Sequence, residues 1–200
     1  MKYEALTSRG IPKAQEVEPI KSMKDIAKIK QYLSAKKSKR DYTLFVVGIN
    51  VGLRAGDLLD LTWEQLLDDN GKLLDVITIG EEKTDKARRI TLNYNTKQAL
   101  LAYKDTLPAA TGYVFRSQKG GTLTVVALHK MIKTTMRDLN IKGNYGTHTL
   151  RKTFAYHAYM NGVPIETLQK TLNHSSAAVT LRYIGITQEV IADVYNSLNL

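Results

Sequence analysis

There is no cysteine among the 200 residues. That excludes disulfides, thiolate metal ligands and a cysteine nucleophile, and it suits a reducing compartment. No apolar run reaches membrane-spanning length, and the first residues carry no signal-peptide pattern. The expected location is therefore the cytoplasm. Internal repeats and low-complexity stretches are missing too. So are a phosphate-cradling P-loop, a histidine pair at metal-ligand spacing and carboxylates paired at two-metal spacing. An ATPase and a metal-dependent nuclease are thus disfavoured, and neither a cofactor nor a metal is expected. Acidic residues are in short supply, 19 Asp and Glu against 29 Lys and Arg, for a formal net charge of +10. That imbalance points to a polyanionic partner, most often nucleic acid. A membrane surface fits less well, because no strongly amphipathic basic helix with aromatic anchors is present.

What is present suits one domain. A chain of this length can bury roughly 70% of its unfolded surface and needs no covalent or metal staple. Residues 1–20 have little periodicity and contain Pro12 and Pro19, which predicts a loose basic lead-in or linker. Ser22 followed by Asp25 reads as a helix cap, with Ile26, Ile29 and Leu33 on one apolar face. Asp41 is placed to start a second helix that Gly52 ends, and a short helix follows Leu53 and Arg54. The stretches "DVITIG" and "ARRITLN" are rich in β-branched residues and flank the polar "EEKTDK", as in a two-stranded antiparallel hairpin. Helical patterns then resume, the first capped by Thr96 or Asn95 and the next by Thr122 or Thr124. A third runs from Thr147 as cap to Gly162 as stop, a fourth begins at Pro164, and a fifth lies in "SSAAVTLRYIG" behind a serine cap. Residues 187–200 form a last helix with an apolar stripe. The fold class is α+β, mostly helical, with a small antiparallel β-sheet.

Six polar residues in distant parts of the chain invite a chemical reading: Arg54, Lys83, His148, Arg151, His174 and Tyr183. Taken singly, each has an ordinary structural role. Arg54 can pair with Asp57, a hairpin lysine is usually solvated, and most tyrosines pack. Taken as a set they suit one phosphodiester. Two guanidiniums can grip its non-bridging oxygens in a planar, bidentate way and stabilise the charge that grows at a five-coordinate phosphorus. A tyrosine hydroxyl, with an ordinary pKa of about 10, becomes a usable nucleophile in such a field. A histidine can relay its proton, and a hairpin lysine can protonate the departing oxygen.

The series "GLRAGDLLDLTW", "EEKTDKARRITL", "HTLRKTFAYH" and "LNHSSAAVTLRYIG" resembles the catalytic domain of the tyrosine recombinases, or phage-type integrases, from about residue 21 onward. The order and spacing of the boxes carry the resemblance, with Tyr183 nine residues after His174. It implies the tyrosine-recombinase catalytic-domain fold over residues 21–186, a lead-in over 1–20 and a C-terminal tail helix over 187–200. It implies that Arg54 is the first catalytic arginine with Asp57 as its buttress. Lys83 is the hairpin lysine, with Lys86 as the alternative if the register slips. His148 and Arg151 form the H-x-x-R pair, His174 is the last histidine and Tyr183 the nucleophile. It further implies site-specific DNA recombination through a 3′-phosphotyrosyl link, with double-stranded DNA as partner. The protein would be a monomer in solution that assembles to a tetramer on DNA. Type IB topoisomerases share the chemistry, but the short distance from "LNHSS" to the tyrosine favours a recombinase. The competing reading is a non-catalytic basic DNA-binding module related to the recombinases.

Two departures stand out. Asn173 replaces the glycine usual before the last histidine, and asparagine tolerates the left-handed conformation that glycine would supply there. A lead-in of this length is also too short for the N-terminal clamp domain of most integrases. The chain would be a short stand-alone recombinase or the catalytic part of a longer one. Because arginines supply the positive charge, strand cleavage should persist in EDTA. Activity lost to the chelator and restored by magnesium or manganese would overturn that reading.

Overall fold

Side chains that recur at helical spacing in the sequence are buried where the helices form. Ile26, Ile29 and Leu33 face inward from α1 (Met23–Ala35), whose first turn is closed by the Ser22 hydroxyl accepting from the Asp25 N–H at 3.1 Å. The computed structural model describes residues 16–36, 38–81, 86–185 and 196. Helix α2 (Lys39–Val51) begins two residues before the expected Asp41, because the Ser38 side chain caps it and Asp41 falls in the first turn. Gly52 ends it in the left-handed conformation, as expected. Two short helices follow, α3 (Ala55–Leu59) and α4 (Trp63–Leu66). The sequence reading did not foresee α4; Thr62 and Gln65 close it reciprocally, and Trp63 and Leu66 fill the core.

The expected hairpin is present as β1 (Val76–Glu81) and β2 (Lys86–Thr91), antiparallel, with Ile77 opposite Ile90 and Ile79 opposite Arg88. Directly opposed residues share a face, so Arg88 lies on the side of the buried Ile77, Ile79 and Ile90. Its guanidinium donates to the Val51 carbonyl at 3.3 Å, at the end of α2. Helix α5 (Tyr94–Lys104) is capped by Asn93, not by Thr96 or Asn95; Thr96 is buried and lends only its N–H to the Asn93 side chain. Thr124 caps α6 (Val125–Asp138). Helix α7 (Thr149–Met160) starts after His148, not after Thr147. α8 (Ile165–Leu172) follows Pro164, and α9 (Ala177–Ile184) is capped by Ser176 and stopped by Gly185. Asn173 adopts the left-handed conformation, φ 51 and ψ 49, that its sequence position called for.

Among the described residues two apolar clusters result. The main core joins α1 to α6 and the hairpin, with Phe45, Trp63 and Phe115 among its largest buried side chains. A second, smaller core gathers Ala155, Leu168, Leu172 and Ile184 from α7, α8 and α9. Helix α7 serves both: Leu150 belongs to the main core, and Ala155 with Phe154 belongs to the second.

The last residues of the expected loose lead-in are not loose. Residues 16–20 run along α7 as an ordered strap. Thr149, Thr153 and His157 recur every fourth residue and so share one face of the helix. Thr149 donates to the Glu18 carbonyl at 3.0 Å, and the Ile20 N–H donates to Thr153 at 2.9 Å. The His157 Nε2–H donates to the Ile20 carbonyl at 2.9 Å. Ile20 itself is buried in the main core. The expected tail helix over 187–200 lies outside the described residues.

Helices α2 and α7 approach closely because α2 has glycine where they cross. A Cβ on Gly48 would stand 2.5 Å from Leu150, and one on Gly52 2.4 Å from Phe154. Gly52 also has φ +61, a conformation that costs other residues roughly 1–2 kcal/mol. Overpacking adds about 1–3 kcal/mol more, so Gly52→Ala should destabilise by roughly 2–5 kcal/mol in denaturant unfolding. A loss under about 0.5 kcal/mol would show that the seam between α2 and α7 has slack.

Candidate active site at Tyr183

Arg54 is the residue from which α3 starts, with extended backbone just after Gly52 and Leu53. Its guanidinium stands 3.9 Å from the Asp57 carboxylate one turn on, with both side chains largely shielded. The expected pairing of Arg54 with Asp57 is thus seen in the fold. Arg151, in the first turn of α7, is 3% exposed. Its two terminal nitrogens donate to main-chain carbonyls, to Gly52 at 2.9 Å and to Leu172.

His174 follows the left-handed Asn173 that turns the chain out of α8. Its Nδ1 lies 3.0 Å from the Thr180 hydroxyl, which itself donates to the Ser176 carbonyl at 3.2 Å. A hydroxyl has one proton to give. With that proton on Ser176, Thr180 must accept from His174, which puts the imidazole proton on Nδ1 and the lone pair on Nε2. Burial, then the nearby charges of Arg151 and Arg54, lower the His174 pKa to about 4. The ring is therefore a neutral imidazole at physiological pH, able to accept a proton.

Tyr183 sits near the end of α9, its ring edge-on to His174 with centroids 4.9 Å apart. Burial pushes its hydroxyl pKa up, while Arg151 and Arg54 pull the other way. The hydroxyl oxygen is shielded from solvent and makes no well-formed hydrogen bond. Burial wins in the resting protein, so the group is a neutral phenol. The cations that would favour its ionisation are already in place.

His148 is exposed at the start of α7, its side chain not turned back to cap the helix. It lines a cavity of about 280 Å³ together with Tyr183, Lys152, Arg182 and Glu16. The fold thus gathers Arg54, Arg151, His174 and Tyr183 in one field, with His148 on a cavity shared with Tyr183. Lys83 lies outside the described residues, and only the main chain of Lys86 is described, in β2. The sequence reading missed three side chains at the site: Thr180, which fixes the His174 tautomer; Lys152, whose ammonium lies 5.0 Å from the Tyr183 ring centroid; and Glu16, which reaches the same cavity from the strap. The signal for Lys152 was its place beside Arg151. Nothing in the sequence singled out Glu16. Among the described residues no group of acidic or histidine side chains could hold a metal ion, and no helix is long and apolar enough to cross a membrane.

The profile of the phage integrase family matches residues 20–189. A probable integrase/recombinase of Bacillus subtilis, YoeC, is 37% identical over 180 residues, which cover 90% of this chain and 95% of that protein. The tyrosine recombinase XerC of Myxococcus xanthus is 28% identical over 201 residues, 94% of this chain but 63% of that protein. Among solved structures, the XerA recombinase superposes with a TM-score of 0.73 at 23% identity, over 95% of this chain and 66% of that one. The Tn1549 transposon integrase bound to circular intermediate DNA gives 0.73 at 19% identity, over 96% of this chain and 71% of that one. These structural likenesses establish the fold.

The His174 environment makes a direct prediction. An ordinary imidazole titrates near pH 6.5, whereas His174 should stay neutral down to about pH 4. Between those values the unfolded chain takes up a proton that the folded chain refuses. This residue's share of stability is therefore lost as pH falls through that window. In NMR titration, the imidazole signal that disappears in His174→Asn should not shift between about pH 5 and 8. A midpoint near 6.5 for that signal would refute the buried, cation-flanked environment.

Proposed function

The chain belongs to the phage integrase family, and on that premise we propose that it is a site-specific DNA recombinase that cleaves and rejoins strands through a 3′-phosphotyrosyl intermediate. The single observation that carries the assignment of roles is the gathering of Arg54, Arg151 and His174 around Tyr183. A phosphate entering beside Tyr183 meets two guanidiniums, which stabilise the charge that builds on its non-bridging oxygens. His148 reaches it from the rim of the shared cavity. The phenolic proton leaves to the free Nε2 of His174 as the Tyr183 oxygen bonds to phosphorus. The bond to the 5′ oxygen breaks, and Lys83 from the hairpin gives that oxygen its proton. A 5′-hydroxyl of the partner strand reverses the sequence. The phosphoester bond is conserved throughout, so ATP has no part, and the arginines supply the charge a metal would bring.

The partner in this reading is double-stranded DNA, and the compartment is the cytoplasm. Protomers are monomeric in solution and assemble to a tetramer on DNA, with the helix over 187–200 docking on a neighbour. Residues 1–20 lead into a catalytic domain over 21–186. The resting phenol is buried and neutral, which suits an enzyme whose nucleophile is activated only when the phosphate arrives.

Incubation with a nicked target duplex should give a denaturant-resistant protein–DNA adduct. Tyr183→Phe should retain duplex affinity, because phosphate contacts dominate binding, yet form no adduct. An adduct in that variant would mean a different nucleophile. Binding without an adduct in the unaltered protein would favour the non-catalytic DNA-binding module.

A further inference from the structure

Lys152 follows Arg151 on α7 and is 6% exposed. Its ammonium stands 3.5 Å from a carboxylate oxygen of Glu16 on the strap and 5.0 Å from the centroid of the Tyr183 ring. The Glu16 side chain is 63% exposed, so water screens the acid half of the pair while the base half is buried. Such a pair returns little of what burying an ammonium costs, and an apolar side chain of similar length would fill the space more favourably. Stability therefore does not account for a cation at this position.

We propose that Lys152 is a positioning residue for the nucleophile, held by Glu16 in the resting protein and released toward Tyr183 and the phosphate when DNA displaces that carboxylate; this rests on the reading of Tyr183 as nucleophile. A phenol ring attracts a cation to its face, and the attraction grows as the proton leaves and negative charge spreads into the ring. Lys152 gives and takes no atom: the phenolic proton goes to a base, the Tyr183 oxygen bonds to phosphorus, and the bond to the 5′ oxygen breaks. The surroundings are consistent with an exchange of anions. The charged or titratable groups that share the cavity with Lys152 come from three places: Glu16 on the strap, His148 just before α7, and Arg182 and Tyr183 on α9. Glu16 is the one carboxylate among the described lining residues of that cavity. A phosphate diester brings the same charge to the same cations, with the further hold of Arg54 and Arg151 on its oxygens.

The test measures adduct formation on a nicked duplex, at saturating concentration across pH and at graded concentrations at neutral pH, with melting curves for every variant. Lys152→Met should slow adduct formation on the order of tenfold or more at neutral pH, and the deficit should shrink as pH rises, because hydroxide then does what the cation did. Lys152→Arg should restore most of the rate. Glu16→Gln should reach half-maximal adduct at lower duplex concentration, since the competing carboxylate is gone. An unchanged rate and pH profile in Lys152→Met would overturn the proposal. So would a loss equal at all pH values that arginine does not rescue, which is the mark of a purely structural role. If Lys152→Met does not fold, Glu16→Gln decides, and a duplex dependence identical to the unaltered protein overturns the proposal. Unaltered protein that binds duplex but forms no adduct would instead refute the reading of Tyr183 itself.

Discussion

One buried guanidinium ties the molecule together. Arg151 joins the carbonyl at the end of α2 to the carbonyl at the end of α8, and so fastens the main core to the smaller one that carries Tyr183. Cations are favoured at such helix ends, where unpaired carbonyls concentrate negative partial charge. Arg88 from the hairpin occupies the neighbouring carbonyl of Val51, so two guanidiniums from distant segments meet at one helix terminus. The arrangement requires that α2 and α7 come within backbone reach, and Gly48 and Gly52 provide that reach. A side chain at either glycine would push away the helix that carries Arg151.

The same constraint sets the electrostatics. Burying Tyr183 and His174 against this cationic centre has opposite chemical consequences for the two. For His174, burial and the arginines act in one direction and yield a firmly neutral base. For Tyr183 they oppose each other, and burial prevails. The site thus holds a neutral imidazole beside a neutral, buried phenol. In the proposed reaction an arriving phosphate would involve the tyrosine far more than the histidine, because the arginines would then have an anion to bind and the phenol an electrophile to attack.

Much of this was legible in the sequence. The helix starts at Ser22, Thr124 and Ser176, the hairpin, and the left-handed turn at Asn173 followed from local chemistry, since each depends on a few adjacent residues. Errors came where tertiary contacts reassigned a polar group. Thr96 and Thr147 look like cap residues, but Thr96 is buried and gives its N–H to Asn93, and α7 begins only after His148, so the caps fell elsewhere. The strap looks loose in the sequence because its regularity resides in α7: Thr149, Thr153 and His157 impose order on a segment with no periodicity of its own. Order and spacing allowed Arg54, His148, Arg151, His174 and Tyr183 to be picked out together. Their hydrogen-bond partners were hidden, because Thr180 and the carbonyls of Gly52 and Leu172 have no distinctive spacing. Lys83 lies outside the described residues, and its place rests on the sequence alone.

The hydrogen bond between Ile20 and Thr153 spans 133 positions, and those of Arg151 reach back 99 and forward 21. Contacts so distant along the chain make folding slow, because loop entropy is lost before the reward arrives. During synthesis the arginines and histidines leave the ribosome before Tyr183 does, and the second core cannot close until α9 has followed. The Tyr183 hydroxyl is therefore delivered last of the group, and it becomes buried only when α9 packs on α7 and α8. Chain order itself thus sets when this phenol is shielded from water.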